Sequence, residues 1–391
     1  MGGGRGNAAM LAAVLPMEPQ TGRVRGQWFE GWFLRIVDHK TASTIAIIFG
    51  SLRRHDRAPS ATADGPFDEH LVALGYSDGR DGSEHMQQVL LDGPSVSVGG
   101  RGGGVAAGPR LSWWSDAHGG LHVNGDSAAL DLTLPHGLRL RANVSGARVP
   151  WDAQRPDRAG PEGWLARTGL LPCHYFVHTF GSGVEYSLNK GRSARLPRAA
   201  HAAHATISGR ALAHIERNYG DAFPTGWVWA QAAAPSGKAY VVLTGGRFVI
   251  GPLTTESYVI GLRARAEGGT NGTLGGDGEL LSWDFRTTDL DDITDMRRPC
   301  EGMLAINATS RSGRRRLELV LRARPRSFGA PIYVPTSHAG FSNDPGCRES
   351  NTATLTLSAW QTERRGELGV RRLHTEIPLA VLEFGGDRQC P

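Results

Sequence analysis

Three short clusters in the sequence carry acidic or amide side chains, and the first two place them among large aromatic rings. In the first cluster, Trp28, Glu30 and Trp32 alternate along a strand-like segment, so their side chains share one face. A carboxyl group between two indoles is costly inside a core unless it is ion-paired, hydrogen-bonded or protonated. The cluster marks Glu30 as a candidate for unusual acid chemistry, while a surface glutamate beside two packing tryptophans is the simpler interpretation.

The second cluster is longer and begins with HIERNYG at residues 214–220. It ends in GWVWAQ, where Trp227, Trp229 and Gln231 alternate onto one face of a strand. A polar amide in line with two aromatic rings is typical of a cavity wall that holds an apolar ligand and orients one polar group. A hydrophobic layer that closes a barrel, with Gln231 bonded to the backbone, explains the same pattern equally well.

A third cluster joins VPT at residues 334–336 to PGCRE at residues 345–349. By itself it predicts a turn that carries an ion pair. Two histidines, His174 and His178, are also spaced to share one face of a strand. Because imidazole titrates near neutral pH, one of them is a candidate for proton transfer, although histidines in β-proteins more often have structural roles.

The rest of the sequence predicts the scaffold that must position these clusters, and it is all-β with few short helices. The 53 glycines and 22 prolines are spread without a period, which suits many tight turns between short strands. Helical patterns are short, with candidates only at residues 289–296 and 199–205. Strands are predicted at residues 44–49, 87–91, 130–134, 138–144, 239–244, 257–262, 317–322 and 352–360.

Segments rich in Gly and Pro at residues 99–108, 151–163 and 267–278 predict loops between these strands. The middle loop divides the chain into comparable parts, so we predict two antiparallel β-barrel halves packed together. The predicted parts are an N-terminal tail (1–26), a first half (27–150), a linker (151–172) and a second half (173–391).

Several classes of protein are disfavoured. No segment approaches the ~20 consecutive apolar residues of a transmembrane helix. Arginines are scattered among acidic residues despite the net charge of +5, which argues against a nucleic-acid partner. The dense basic run at residues 311–316 is typical of a solvated turn, with contact to an anionic lipid surface as the alternative. Four cysteines without CxxC spacing argue against a metal site and suggest isolated thiols, a disulfide-bonded protein being the alternative.

The three clusters together resemble the tocopherol cyclase family. FEGWF at residues 29–33, HIERNYGDAFPTGWVWAQ at 214–231, and VPT with PGCRE occur in the order of similar segments in that family. With PCHYFVHTFGSGVEYSL at 172–188, the resemblance covers most of residues 27–360. The chain departs from the family at Phe33 and Tyr219, where Tyr and Trp are commoner. The resemblance implies a lipocalin-like pair of β-barrels and an enzyme that converts phytyl-benzoquinols into tocopherols without a metal or a redox cofactor.

The implied reaction adds a phenolic O–H across a prenyl double bond and passes through a state close to a tertiary carbocation. It requires an acid that stays protonated at neutral pH, which a carboxyl group achieves when it is desolvated. Glu30 and Glu216 are the candidate acids, Glu349 is a third candidate and a substrate contact, and His174 is a candidate for assisting proton transfer.

The reaction also requires aromatic faces near the developing positive charge and hydrogen bonds that orient the quinol. The residues expected to supply these contacts are Trp32, Trp227, Trp229, Asn218, Gln231, His174 and His178.

The expected partner is therefore a small, apolar prenylquinol. The family resemblance implies a plastid location, with the cytoplasm as the alternative because the chain has no clear transit peptide. Two other functions fit the same features. One is a non-catalytic, lipocalin-like protein that binds a prenyl lipid, and the other is an enzyme that acts on another isoprenoid.

Overall fold

A computed structural model describes residues 16–20, 27–54, 67–78, 83–100, 110–168, 171–191, 206–250, 253–266, 278–336, 340–363 and 369–390. Within these ranges the protein is nearly all β, with no helix of seven residues or more, and two large antiparallel sheets carry the fold. The predicted fold class is confirmed. Each of the eight predicted strands lies within an observed strand or extends at most one residue beyond it, and most of the observed strands are longer.

The first sheet is built from strands in the order β4-β3-β2-β1-β11-β10-β9-β8-β7-β6-β5. Its strands are β1 (Trp28–Asp38), β2 (Ser43–Arg53), β3 (Glu69–Asp78), β4 (Ser83–Asp92), β5 (Ser97–Gly99), β6 (Arg110–Ser115), β7 (Gly119–Asn124), β8 (Ser127–Thr133), β9 (Arg139–Ser145), β10 (Cys173–Asn189) and β11 (Thr206–Gly220).

The second sheet has the order β15-β14-β13-β12-β21-β20-β18-β17-β16, and β19 pairs with β20. Its strands are β12 (Gly226–Ala233), β13 (Ala239–Ile250), β14 (Leu253–Arg265), β15 (Leu280–Arg286), β16 (Asp292–Arg298), β17 (Met303–Thr309), β18 (Arg315–Arg322), β19 (Ile332–Thr336), β20 (Gly340–Gln361) and β21 (Val370–Gly386). Short 3-10 helices lie at Gly93–Ser95, Pro135–Gly137, Gly163–Arg167, Thr287–Asp289, Pro299–Glu301 and Pro325–Ser327.

Burial follows the two-residue period of the strands. In β9 alternate residues are buried and exposed, as expected for a sheet with one face in a core and one in solvent. By contrast, every residue of β12 is buried. Val228 and Ala230 pack into the core of the second sheet, while Trp227 and Trp229 belong to a separate cluster between the two sheets. This strand therefore supplies a wall of the space where the sheets meet.

The chain crosses from the first sheet to the second at residues 221–225, between β11 and β12. The sequence division at 151–172 lies instead between β9 and β10, which both belong to the first sheet. The segment 151–172 joins the two sheets in another way, because the Trp151 indole N–H donates to Asp284 at 2.9 Å. Sequence alternation defines strands, but it does not reveal which strands are hydrogen-bonded neighbours.

Two local predictions, a helix and isolated thiols, differ from the observed structure. The helix predicted at 289–296 is wrong, since residues 292–298 form β16 with alternating burial. The helical candidate at 199–205 lies outside the described residues. Cys300 and Cys390 form a disulfide rather than two isolated thiols, while Cys173 and Cys347 are free. Among the described residues, no helix is long and apolar enough to cross a membrane.

Candidate active site

A cavity of about 190 Å³ lies between the two sheets, and strands of both sheets line it. Phe33 of β1 and Trp229 of β12 both line it and contact each other edge to face, with ring centroids 4.9 Å apart. The 3-10 helix in the predicted linker contributes Leu165 to the wall. Most of the wall is apolar, including Phe29, Phe33, Ile48, Leu71, Leu165, Leu171, Phe223, Trp227, Trp229, Phe248, Val259, Ile332, Val334 and Phe341.

Asn218 reaches this cavity because its partner in the sheet is a glycine. Gly31 and Asn218 are paired across β1 and β11. A Cβ atom on residue 31 would lie 2.3 Å from the Asn218 side-chain oxygen, closer than any real contact. The absence of a side chain at Gly31 therefore lets the Asn218 amide lie over the strand, where it can orient a polar group of a ligand.

Polar groups converge on a single carboxyl oxygen in the first sheet's wall. Glu216 Oε2 accepts a hydrogen bond from the Tyr175 hydroxyl and lies 2.7 Å from His214 Nε2. The Trp229 indole N–H approaches the same oxygen at 3.3 Å and Tyr175 Oη at 3.3 Å. Burial raises the pKa of Tyr175 well above its usual value, and the charge of Glu216 acts in the same direction. Tyr175 thus stays protonated as a donor to Glu216.

Glu383 places a second carboxyl group in the cavity wall, and no sequence cluster had marked it. It is the cross-strand partner of Trp229, and it accepts a hydrogen bond from the Trp227 indole N–H. Burial, reinforced by the nearby charge of Glu349, raises the pKa of Glu383 to about 8. Glu383 is therefore a carboxylic acid that keeps its proton at neutral pH, as the implied chemistry requires. The available signal was a lone acid within the apolar run AVLEF at the end of β21.

Glu349 lies next to Glu383, yet it does not line the main cavity. The two residues are cross-strand partners on β20 and β21, and Glu349 lines a smaller second cavity. Its Oε1 accepts a 2.6 Å hydrogen bond from the Asn351 amide. Burial raises the pKa of Glu349. Glu349, the third acid candidate, is thus adjacent to the wall of the main cavity but does not line that cavity.

Glu30 is held in an ion pair. Its Oε2 lies 3.0 Å from Arg217 Nη2, and both side chains are fully buried. The contact has the distance of an ion pair without forming a directed hydrogen bond. Oε1 accepts hydrogen bonds from the Trp28 indole at 3.0 Å and from the Gln20 backbone N–H at 2.7 Å. Glu30 is thus both ion-paired and hydrogen-bonded, which are two of the three compensations stated for a buried carboxyl group at this position.

Trp32 also faces away from the centre of the cavity. Its indole N–H donates to the Met17 carbonyl at 3.3 Å, and the ring belongs to the hydrophobic core of the first sheet. Glu30 and Trp32 contribute to the cavity wall from that side. The aromatic rings on the opposite, inter-sheet face are Phe29 and Phe33, because side chains alternate along β1.

The two predicted histidines lie outside the cavity lining. His174 Nδ1 lies 2.8 Å from Glu162 and its ring stacks on Tyr219. His178 Nδ1 lies 2.9 Å from an Arg148 nitrogen, and burial lowers its pKa to about 3. The β10 register shifts between Val177 and Thr179, so His178 is an extra residue in the pairing with β11, and its spacing from His174 does not place the two on one face. A β-bulge of this kind breaks the two-residue alternation.

Gln231 continues the face of Trp227 and Trp229 but lies deeper between the sheets. Its side-chain oxygen accepts a 2.6 Å hydrogen bond from the fully buried Arg35. Arg35 also donates to Asn351 and to the Leu379 carbonyl, so this cluster joins the two sheets beside the cavity. Gln231 therefore satisfies a buried charge, and the side-chain amide in the described cavity lining is that of Asn218.

The described residues contain no group of three or more His, Cys, Asp or Glu side chains arranged to hold a metal ion. The polar groups that could act on a ligand are a protonated acid, Glu383, and the coupled pair of Tyr175 and Glu216. Together they allow one carboxyl group to donate a proton while another accepts one.

No family model matches this chain. Among solved structures, it is similar to CghA, with 10% identity, a TM-score of 0.51 and coverage of 96% of this chain and 93% of CghA. CghA with Sch210972 gives 9% identity, a TM-score of 0.50 and the same coverage. Kievitone hydratase from Nectria haematococca gives 12% identity and a TM-score of 0.47 over 97% of this chain and 94% of that protein. CghA belongs to the tocopherol cyclase-like fold family, so the sequence resemblance is supported at the level of the fold.

Proposed function

We propose that this protein is an acid–base cyclase that closes a ring in a prenylated hydroquinone, as tocopherol cyclases do. The observation that carries the proposal is Glu383, a carboxylic acid whose pKa is raised to about 8 in a cavity walled by Trp227 and Trp229. The order of the sequence motifs and the fold shared with CghA support it.

In the first step, Glu383 donates its proton to the less substituted carbon of the prenyl double bond. The π electrons form the new C–H bond, and positive charge develops at the tertiary carbon. The faces of Trp227 and Trp229 attract that charge by about 0.5 to 2 kcal/mol per contact. The Trp227 N–H, which already bonds Glu383, stabilises the carboxylate left behind.

In the second step, the phenolic oxygen attacks the tertiary carbon and its proton passes to Glu216. Tyr175 and Asn218, both in the cavity wall, orient the phenol against Glu216. The C–O bond closes the ring, and the product is an isomer of the substrate. Glu383 has lost one proton and Glu216 has gained one.

Anaerobic incubation of the folded protein with phytyl- or geranylgeranyl-benzoquinol tests the proposal directly, with chromatography to detect the chromanol. We expect chromanol from at least one of these substrates. If folded protein forms none, this activity is excluded. A panel of other prenylated and polyene substrates then tests the alternative of an enzyme that acts on another isoprenoid.

A non-catalytic prenyl-lipid binder is the other alternative. A binding protein needs apolar walls but no protonated acid among them, whereas Glu383 and Glu216 both line this cavity. Their presence favours an enzyme over a binder.

The pH dependence follows from Glu383. Its pKa of about 8 means that the acid is protonated below that pH and ionised above it. We expect kcat to stay constant from pH 6 to 7 and to fall by about tenfold per pH unit above 8. Initial rates of chromanol formation, measured anaerobically between pH 6 and 9.5, test this prediction. A rate that rises through pH 8 would show that the essential group acts as a base.

Tyr175→Phe tests the second carboxyl group. The substitution removes the hydroxyl that donates to Glu216 while it keeps the ring in the wall. Because a hydrogen bond to a charged group is worth about 1.5 to 3 kcal/mol, we expect kcat to fall roughly ten- to a hundredfold with little change in KM. Tyr240→Phe, in a tyrosine that does not line the cavity, is the matched control. Equal kcat values for Tyr175→Phe and the wild type would exclude this hydroxyl from the reaction.

A further inference from the structure

A second cavity, of about 110 Å³, lies between the sheets on the far side of Glu349. Residues of β3 and β4 form one wall, and residues of β20 and the segment before β19 form the other. Two carboxyl groups line it, those of Glu84 and Glu349. Each has one buried oxygen without a hydrogen-bond partner, Glu84 Oε1 and Glu349 Oε2. Glu349 is 3% exposed, so its unpartnered oxygen needs a ligand that can donate a hydrogen bond.

The partition between the two cavities is thin. Ile332 lines both of them. Glu383 lines the main cavity and Glu349 lines the second, and the two are direct cross-strand partners. Side chains at such positions start from Cβ atoms about 4.5–5.5 Å apart, so two carboxyl groups there can exchange a proton directly or through one water.

We propose that the second cavity holds water and that Glu349 carries protons from this water to Glu383. The cavity is large enough for water and offers polar partners, as buried water requires. Glu84, which also lines the second cavity, is the second carboxyl group of the relay and exchanges protons with the same water. Burial raises its pKa to about 7, and the charge of Glu349 adds to the shift, so this group both binds and releases protons near neutral pH.

The relay rests on the proposed function and completes its proton balance. Each turnover leaves Glu383 without a proton and Glu216 with one extra. Glu349 takes a proton from the water of the second cavity and passes it to Glu383. Glu216 releases its proton into the main cavity when the product leaves. No net proton is consumed, and Glu383 regains its proton even while an apolar molecule fills the main cavity.

An isotope experiment tests this path. Enzyme in excess is mixed with prenylquinol in H2O at pH 6, where Glu383 is protonated, and is diluted into D2O before the ring closes. The reaction is quenched after a single turnover, and mass spectrometry measures deuterium at the new C–H bond. We expect the wild-type product to be mostly deuterated, because the relay exchanges the Glu383 proton behind the bound substrate. In Glu349→Gln most of this deuterium should be lost, because Glu383 then keeps the proton that it held before the dilution.

Two further variants keep the test decisive. Glu84→Gln leaves Glu349 in place and should also lower the deuterium content of the product. It tests the relay even if the Glu349→Gln protein does not fold. Met86→Leu changes the apolar wall of the same cavity and should match the wild type. Wild-type deuterium content in both acid variants would overturn the relay. If the wild type forms no chromanol, the proposed function itself fails and the relay has no reaction to serve.

Discussion

Replacing Glu383 with Gln is expected to lower kcat for ring closure by roughly 10²- to 10⁴-fold, the usual contribution of a general acid. The physical reason is that glutamine has nearly the same shape as a protonated glutamic acid but cannot transfer a proton to an alkene. The Gln side-chain oxygen can still accept the Trp227 indole hydrogen bond that Glu383 accepts, so the cavity should keep its shape. Anaerobic chromanol formation under saturating substrate measures the effect.

Ligand binding separates this role from a structural one. Trp227 and Trp229 lie in the cavity wall, so quenching of tryptophan fluorescence by an added prenylquinone reports occupancy. We expect Glu383→Gln to bind the quinone within about threefold of the wild-type affinity, because the lost proton transfer belongs to the transition state. A Glu383→Gln protein that binds normally and retains more than about a tenth of wild-type kcat would show that another group is the acid.

Arg217→Met is expected to have the largest effect on stability, a loss of about 3–5 kcal/mol in the free energy of unfolding. Arg217 is fully buried, and its guanidinium lies 3.0 Å from Glu30. It also donates to the Glu18 carbonyl at 2.7 Å and to the Pro16 carbonyl, and so holds residues 16–20 against the first sheet. Without the guanidinium, a buried carboxylate loses the opposite charge that compensates for its desolvation.

The double variant Glu30→Gln/Arg217→Met is the matched control. Since it removes both charges, it should recover a large part of the stability lost in Arg217→Met. Urea unfolding of the wild type, both single variants and the double variant gives the coupling energy. Additive effects of the two substitutions would mean that the ion pair does not account for the burial of Glu30.

Much of the scaffold could be predicted from the sequence, because strands leave a local signal. The alternation of apolar and polar residues depends only on the two-residue period of a strand, and all eight predicted strands are present. The same period placed Trp227, Trp229 and Gln231 on one face, and the structure has that arrangement. The helix predicted at 289–296 failed because a short segment cannot be assigned from its own pattern when its partner, β17, lies elsewhere in the chain.

The sequence by itself therefore determined the all-β class and the two aromatic strands, β1 and β12, that contribute side chains to the cavity wall. Only the tertiary structure placed Glu383 in the cavity wall. Glu383 lies more than 150 positions from Trp229 in the chain, and β21 brings it there by pairing with β12. The pKa of Glu383 is raised because the two sheets bury its carboxyl group away from water. Glu30 also lies between tryptophans in the sequence, but it forms an ion pair with Arg217. Desolvation and charge pairing depend on what surrounds a side chain in three dimensions, and neighbours along the chain do not specify it.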